Sequence, residues 1–334
     1  MTGVSETTFQ AFVVDHEAST DPGVREFPLS GLDGDVLIEI EWSSLNYKDG
    51  LATLPKGQVA RRSPLVIGVD LAGVVRESSD DRFAAGDNVI AHGYNLGVSH
   101  HGGIAELASV PADWVVALPD GLTTRDAMIY GTAGFTAALS LHALEERGLT
   151  PNDGPVLVTG ATGGVGSSAV AALAAAGYEV HASTGKADAH EWLRSLGATT
   201  MLSRADVEEH AGRPLSKSLW PATIDSVGGQ ALAGALSATA YGGAVAASGL
   251  TGGVKLETTV MPFILRGVSL IGIDSAALDM TARNEIWSRL GSDLRPPDLE
   301  ALVDEELGLA DVQGGLDVLL AGGARGRKLV RPSS

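Results

Sequence analysis

The sequence predicts an α/β protein built from a mainly β domain and a doubly wound parallel sheet with helices on both faces. Three observations carry that prediction. Strand-like and helix-like segments alternate after Tyr130, a glycine run opens one of those helices, and the residues before Tyr130 offer short apolar runs cut by Gly, Pro and Asp. Length agrees, because 334 residues exceed the ~250–300 at which a single core stops growing.

Taken in order, residues 36–40, 66–69 and 114–118 read as strands between turns. Residues 134–147 carry helix formers and end in the breakers Gly148-Leu-Thr-Pro-Asn-Asp-Gly154. A strand over 155–160, a helix over 164–176, a strand over 178–184 and a helix over 188–196 follow. Further strands are expected at 199–203, 223–227, 244–248 and 268–273. Such alternation implies right-handed crossovers, and strand runs with little polar alternation imply a sheet covered on both faces. The remainder, a helical stretch at 277–290 and a mixed tail through Arg327-Lys-Leu-Val330, is too short for a third domain and is expected to pack back onto the first. The expected boundaries are 1–130, 131–272 and 273–334.

Composition narrows the function classes. Hydrophobic residues make up 44% and charged residues 19%, which suits a packed core and not a disordered polymer. With 23 Lys and Arg against 41 Asp and Glu the formal charge is −18, a field that repels nucleic acid and anionic membranes. The absence of cysteine excludes disulfides, iron–sulfur clusters and thiolate zinc sites. The start, MTGVSETTFQAFVVD, has neither the basic nor the apolar region of a secretory signal, and the Ala- and Gly-rich run 165–177 is shorter than the ~20 residues of a membrane span. A soluble, cytoplasmic protein acting on a small molecule is expected.

The most informative segment is Val156-Leu-Val-Thr-Gly160-Ala-Thr-Gly163-Gly164-Val-Gly166. Gly160 permits a tight turn, Gly163 and Gly164 let backbone N–H groups approach a pyrophosphate, and Gly166 permits close helix–strand packing. The helix start then adds unpaired N–H groups and a positive dipole. With a strand before it and a second strand after it, the run reads as a Rossmann dinucleotide site. The second strand ends in Ser183-Thr184-Gly185-Lys186, without the acid that would accept from the ribose 2′-OH of NAD. Hydroxyls, backbone amides and a lysine suit a 2′-phosphate, and Arg204 could reach that phosphate or lie over the adenine. The cofactor expected is NADPH.

With those residues in hand, the chain resembles the medium-chain dehydrogenase/reductase superfamily in its zinc-free, quinone-oxidoreductase-like branch. Within that branch it is similar to the bacterial NADPH-dependent acryloyl-CoA reductases. The resemblance runs nearly full length. It is carried by Ser43-Ser-Leu-Asn-Tyr47-Lys-Asp-Gly-Leu-Ala52, Gly68-Val-Asp-Leu-Ala-Gly73, Tyr130-Gly-Thr-Ala-Gly-Phe-Thr-Ala137, the glycine run, Ile224-Asp-Ser-Val-Gly228, Val260-Met-Pro-Phe-Ile-Leu-Arg266 and Gly272-Ile-Asp-Ser275. It implies a GroES-like catalytic domain completed by the C-terminal segment, an inserted Rossmann domain, an active site in the cleft between them, and a homodimer through Rossmann-domain edges. It further implies Tyr47 at the nicotinamide end, and Thr162, Gly163, Gly164 and Val165 at the pyrophosphate. Thr184, Gly185 and Lys186 would hold the 2′-phosphate with Arg204 nearby, and Leu250, Ile264 and Ser275 would line the nicotinamide side. Asn46 stands where zinc-dependent relatives have their first zinc cysteine, and Gly68-Val69-Asp70 where they have Gly-His-Glu. Zinc-assisted alcohol chemistry is therefore not expected.

A reductase without a metal polarises its substrate carbonyl with hydrogen-bond donors. Asn46, Tyr47 and Asp49 are the candidate catalytic residues. Tyr47 could donate to the carbonyl, protonate the α-carbon, or only pack on the nicotinamide, while Asp49 would orient its neighbours. His92, His100 and His101 fall in one glycine-rich loop but lack helical ligand spacing, and read as solvent-facing or cleft-wall residues. Arg61-Arg62 could meet CoA phosphates or be a solvated pair. Trp192 and Trp287 read as packing residues. The function expected is reduction of acryloyl-CoA to propanoyl-CoA. The alternatives are a quinone or small-enone reductase and a non-catalytic NADPH-binding sensor or scaffold.

Overall fold

The computed structural model describes residues 7–333. The first six residues, part of the stretch read above as lacking a secretory signal, lie outside the described residues. The chain divides into two compact units, Met1–Thr132 with Ala276–Asn284 and Val303–Ser334, and Ala133–Ser275 with Glu285–Leu302.

The first unit opens with β1 (Thr8–Asp15), β2 (Thr20–Pro28), β3 (Val36–Ser44), α1 (Tyr47–Thr53) and β4 (Leu65–Val66). It continues with β5 (Asp70–Ser78), β6 (Asn88–His92), β7 (Leu107–Val110) and β8 (Val115–Ala117). β3 shows why these segments are strands. Val36, Ile38 and Ile40 are buried while Glu39 and Glu41 face out, the two-residue period of a half-buried sheet. The inner side chains pack with Leu71, Val75 and Val89 into one core. The strand expected at 66–69 stops at Val66, because Gly68 adopts φ 113° and lies against the backbone of Ile104, where a Cβ would meet the amide nitrogen at 2.5 Å. Trp114 belongs to a 3-10 turn, and the strand after it is Val115–Ala117.

α2 (Thr124–Glu145) starts well before the expected residue 134 and is broken at Gly131, with φ 52° and ψ −158°. It has the length and composition to cross a membrane, yet 83% of its apolar stretch is buried, as in a core helix. Just after the break the chain enters the second unit.

That unit follows the expected alternation: β9 (Val156–Val158), α3 (Gly164–Ala175), β10 (Val180–Thr184), α4 (His190–Ser195), β11 (Thr200–Ser203) and α5 (Arg204–Glu208). β12 (Trp220–Asp225), α6 (Gly229–Ala238), β13 (Thr239–Ala247), α7 (Met261–Arg266) and β14 (Ser269–Gly272) complete it. All six strands are parallel, in the order β11-β10-β9-β12-β13-β14. β9 thus lies at the point where strand order reverses, and in such sheets ligands bind beyond the carboxyl ends there. β14 is an edge, with its own Leu270 and Leu265 of the preceding α7 exposed.

α8 (Met280–Leu290) begins in the first unit and ends in the second, where Trp287 is fully buried against Phe135. The chain closes with β15 (Val303–Gly308), α9 (Val312–Leu320) and β16 (Arg327–Arg331). The tail expected to be mixed is therefore partly strand. β16 pairs antiparallel with β3, Leu329 opposite Ser44, and sets Arg327 beside the start of α1.

Candidate functional site

In the first unit the site grows from the end of β3. Asn46 is extended, φ −121° and ψ 153°, and caps α1, so Tyr47 is the first helical residue. Asp49 is buried and closes the cap: one carboxylate oxygen accepts from the Asn46 amide at 2.8 Å and the other from the Val69 amide at 3.0 Å. Asp70 is equally buried. It accepts from the Ser44 amide at 3.1 Å, the Ser44 hydroxyl at 2.8 Å, the Asn46 side-chain amide at 2.8 Å and the Thr132 amide at 2.8 Å. Arg327 donates to Ser44 Oγ at 2.6 Å, to Asn46 Oδ1 at 3.4 Å and to the Ile129 carbonyl at 3.1 Å. A Cβ on Gly131 would lie 2.6 Å from Arg327 Nη2 and 2.6 Å from Ser44 Oγ, which is why the break in α2 carries glycine.

Tyr47 stands on this scaffold with 38% of its surface exposed, and its hydroxyl has no partner among the described residues. Of the three candidate catalytic residues it alone faces solvent, while Asn46 and Asp49 are committed to the buried network. Burial, and then the Asp70 charge, push the Asp49 carboxyl from 3.8 up to about 7 against the hydrogen bonds that favour its ionised form. Burial likewise lowers the Arg327 guanidinium, opposed by the charges of Asp70 and Asp49.

In the second unit the glycines divide their work. Gly160 takes φ 58° at the turn, and a Cβ on Gly166 would meet the Gly160 carbonyl at 2.2 Å, so the fold itself requires both. Gly163 caps α3 with φ −79°, and a Cβ there would meet only the Gly160 carbonyl, at 3.5 Å. Nothing in the chain demands glycine at 163. It leaves a bare-backbone cradle at a helix start, which fits a phosphate. Buried Asp225 steadies the turn by accepting from Thr159 Oγ1 at 2.6 Å and the Gly228 amide at 2.8 Å; burial raises its carboxyl, and those bonds oppose the rise.

The end of β10 lies beside this turn, where Thr162 Oγ1 and Thr184 Oγ1 are 3.3 Å apart. Thr184 Oγ1 also accepts from the Lys186 amide, and the Ser183 hydroxyl turns inward to the Ser203 carbonyl. A Cβ on Gly185 would sit 3.8 Å from the Arg204 guanidinium, so Gly185, Lys186 and Arg204 form a cationic edge at the end of β10. That donor set fits a ribose phosphate. Leu250 lies against the Asp225–Gly228 turn, its Cα 3.3 Å from where a Gly228 Cβ would be. Ser275 accepts from Thr136 Oγ1 at 2.8 Å just past β14. Ile264 lies on α7 with 68% of its surface exposed. It precedes by two residues Arg266, whose guanidinium bonds the Thr239 carbonyl at the first residue of β13, nearer the start of that strand than its carboxyl end.

Two of the three loop histidines are not solvent-facing. His92 is buried under Arg283, which donates to its ring and carbonyl, and His101 Nδ1 accepts from the Val66 amide with Phe27 edge-on. Burial, with the Arg283 charge, holds His92 well below its ordinary value, and burial lowers His101 to about 4. No group of three His, Cys, Asp or Glu side chains gathers as metal ligands among the described residues. Of Arg61-Arg62, Arg62 is paired with Asp33 at 3.1 Å and Arg61 is exposed. Sequence reasoning missed the roles of Asp70, Asp225 and Arg327. Two of them stood in quoted motifs, and the third looked like tail.

The raised Asp49 carboxyl makes a pH prediction. Between 3.8 and about 7 the native state holds a proton that the unfolded state has lost, so this group lowers stability progressively as pH rises through that window and by a constant amount above it. Urea denaturation at a series of pH values should show a stability slope more negative across that window in the native protein than in Asp49→Asn, whatever the variant's absolute stability. Equal slopes would contradict the assignment.

Comparison with known proteins places this architecture. Residues 32–120 match the alcohol dehydrogenase GroES-like domain and residues 164–288 the zinc-binding dehydrogenase family model. "Putative quinone oxidoreductase YhfP" of Bacillus subtilis is 50% identical, covering 97% of this chain and 99% of its own length. The crystal structure of that protein with NAD bound superposes with a TM-score of 0.95. Acrylyl-CoA reductase AcuI of Ruegeria pomeroyi is 47% identical, covering 96% of this chain and 98% of its own. The yhdH oxidoreductase of Salmonella enterica, solved in complex with NADP, is 47% identical over 97% of this chain and all of its own, with a TM-score of 0.93. With a GroES-like unit, a Rossmann unit and relatives matched end to end, the chain belongs to the medium-chain dehydrogenase/reductase superfamily, in its quinone-oxidoreductase-like branch.

Proposed function

We propose that the protein is an NADPH-dependent reductase of a short α,β-unsaturated acyl thioester, converting acryloyl-CoA to propanoyl-CoA. The observation that carries this reading is the exposed Tyr47 hydroxyl on a buried, charge-locked turn, in a chain that an acrylyl-CoA reductase matches end to end. Bound NADPH supplies the hydride that the substrate's β-carbon receives. The chain's part is to hold and to polarise. Backbone amides at Gly163, Gly164 and Val165, with Thr162, hold the pyrophosphate, and Gly185, Lys186 and Arg204 the 2′-phosphate, with Ser183 and Thr184 shaping that edge. Leu250 and Ser275 flank the nicotinamide end. Tyr47 donates to the thioester oxygen as negative charge collects there, and the α-carbon takes its proton from the same hydroxyl or from water. Asn46 and Asp49 act by fixing the turn that carries Tyr47, without touching substrate.

One specific observation favours a second reading. The relative at 50% identity is named for quinones, and its structure holds NAD. Steady-state rates with acryloyl-CoA, crotonyl-CoA and a benzoquinone, each with NADPH and NADH, separate the two. Efficient quinone reduction with acryloyl-CoA untouched replaces the first reading. Binding of NADPH with neither substrate reduced leaves a non-catalytic binder.

NADPH should bind at least ~10-fold more tightly than NADH, about 1.4 kcal/mol, and Lys186→Ala should erode that preference by weakening NADPH alone. Equal affinities in the unaltered protein, by fluorescence titration, would sink it. Tyr47→Phe should lower turnover roughly 100-fold, since losing one donor to a developing oxyanion typically costs ~2.7–4 kcal/mol. A change of less than about threefold would mean that the ring only packs. The exposed β14 edge is the seam for a homodimer, and sedimentation velocity at micromolar concentration should show a species of twice the chain mass. A single monomer peak would rule that seam out.

A further inference from the structure

A protein of charge −18 faces a difficulty with the substrate just proposed, because CoA carries its acyl group on a polyanionic nucleotide. Attraction must come from a local surface, and one lies beside Tyr47. Lys48, Lys56, Arg61 and Arg62 fall between residues 47 and 62, where the only acid is buried Asp49. Arg62 is occupied by Asp33. Lys48, Lys56 and Arg61 are exposed and make no ion pair among the described residues, whereas Arg76, Arg82, Arg125 and Lys328 of the same unit each face a carboxylate.

The chain that carries these cations also presents an apolar strip. Tyr47, Leu51 and Leu54 recur at helical spacing on one side of α1 and its cap, with Tyr47 38% and Leu54 44% exposed. At 1.5 Å per residue the strip is about 10 Å long. Beyond it the chain folds back tightly. The Gly57 amide donates to the Leu54 carbonyl at 2.8 Å, and a Cβ on Gly57 would lie 1.9 Å from the Leu51 carbonyl, which fixes where Lys56 emerges. The Arg61 amide is tied to the Val98 carbonyl at 2.8 Å.

We infer that this surface is the seat of the substrate's carrier: a CoA-type pantetheine arm lies along Tyr47, Leu51 and Leu54, its phosphates meet Lys56 and Arg61 at the far end, and Lys48 adds positive charge near the thioester end. The inference rests on the thioester reading above. Lysine offers point charge and arginine a planar fork, both suited to phosphate oxygens, while the apolar strip receives the arm.

The test uses the full-length protein and the double variant Lys56→Ala/Arg61→Ala, both positions being exposed. The kcat/KM for acryloyl-CoA should fall about tenfold, through KM, while that for acryloyl-pantetheine, which lacks the nucleotide, stays unchanged. Calorimetry with propanoyl-CoA should show the same tenfold loss of affinity, and the unaltered protein should bind propanoyl-CoA more weakly as salt rises. If acryloyl-CoA is reduced and the variant is indistinguishable in both measurements, the inference falls and the thioester reading stands. If no thioester is reduced but propanoyl-CoA binding depends on Lys56 and Arg61, the inference stands and the reaction is misassigned. If propanoyl-CoA does not bind at all, both fall.

Discussion

The structure of the first unit turns on one buried charge cluster. Asp70 accepts four hydrogen bonds from Ser44, Asn46 and Thr132, and Arg327 reaches the same place from the last strand. Burying such groups is costly, and removing one partner strands the other, so the segments that supply them must arrive together. The end of β3, the start of β5, the break in α2 and β16 are joined there, and the missing Cβ of Gly131 makes the room. Asn46 links the cluster to Tyr47. Its side-chain amide donates to Asp70 and accepts from Arg327, so Asn46 and Asp70 spend their polar atoms within the buried cluster. What emerges is a tyrosine fixed by its backbone and open at its hydroxyl.

The second unit solves a different problem with the same economy of backbone. Gly160 and Gly166 are forced by the turn and the helix contact, and Asp225 pins the neighbouring strand end to that turn. Gly163, unlike Gly160 and Gly166, leaves open space where a side chain would stand. A motif that looks uniform in sequence thus separates into glycines that the fold requires and one that it leaves open.

Much of this was legible from residue order. The βα rhythm, the glycine turn and the acid-free tip of β10 are local features, decided by periodicity and by which residues tolerate a turn. What was not legible depends on partners distant in sequence. Arg327 stands in an Arg-Lys-Leu-Val tail that carries no cue to burial, and it is the pairing of β16 with β3 and β15 that buries it. His92 and His101 read as loop residues because the groups that bury them, Arg283 and Phe27, lie far along the chain. The start of α2 was hidden by its own break, since Gly131 looks like a terminator and in fact interrupts a longer helix.

Net charge and binding charge are separate properties here. The excess of acid is spread over the surface, and at physiological salt its reach is cut to about 8 Å. An anionic ligand at contact distance therefore responds mainly to the few charges beside it. The protein sets two cationic edges against its acidic background, Lys186 with Arg204 in the Rossmann unit and Lys48, Lys56 and Arg61 in the GroES-like unit. The background disfavours anions elsewhere on the surface, so each edge gains selectivity from the repulsion around it. A composition that disfavours polyanionic polymers is thereby compatible with two small phosphate-bearing ligands, provided that each meets its own edge.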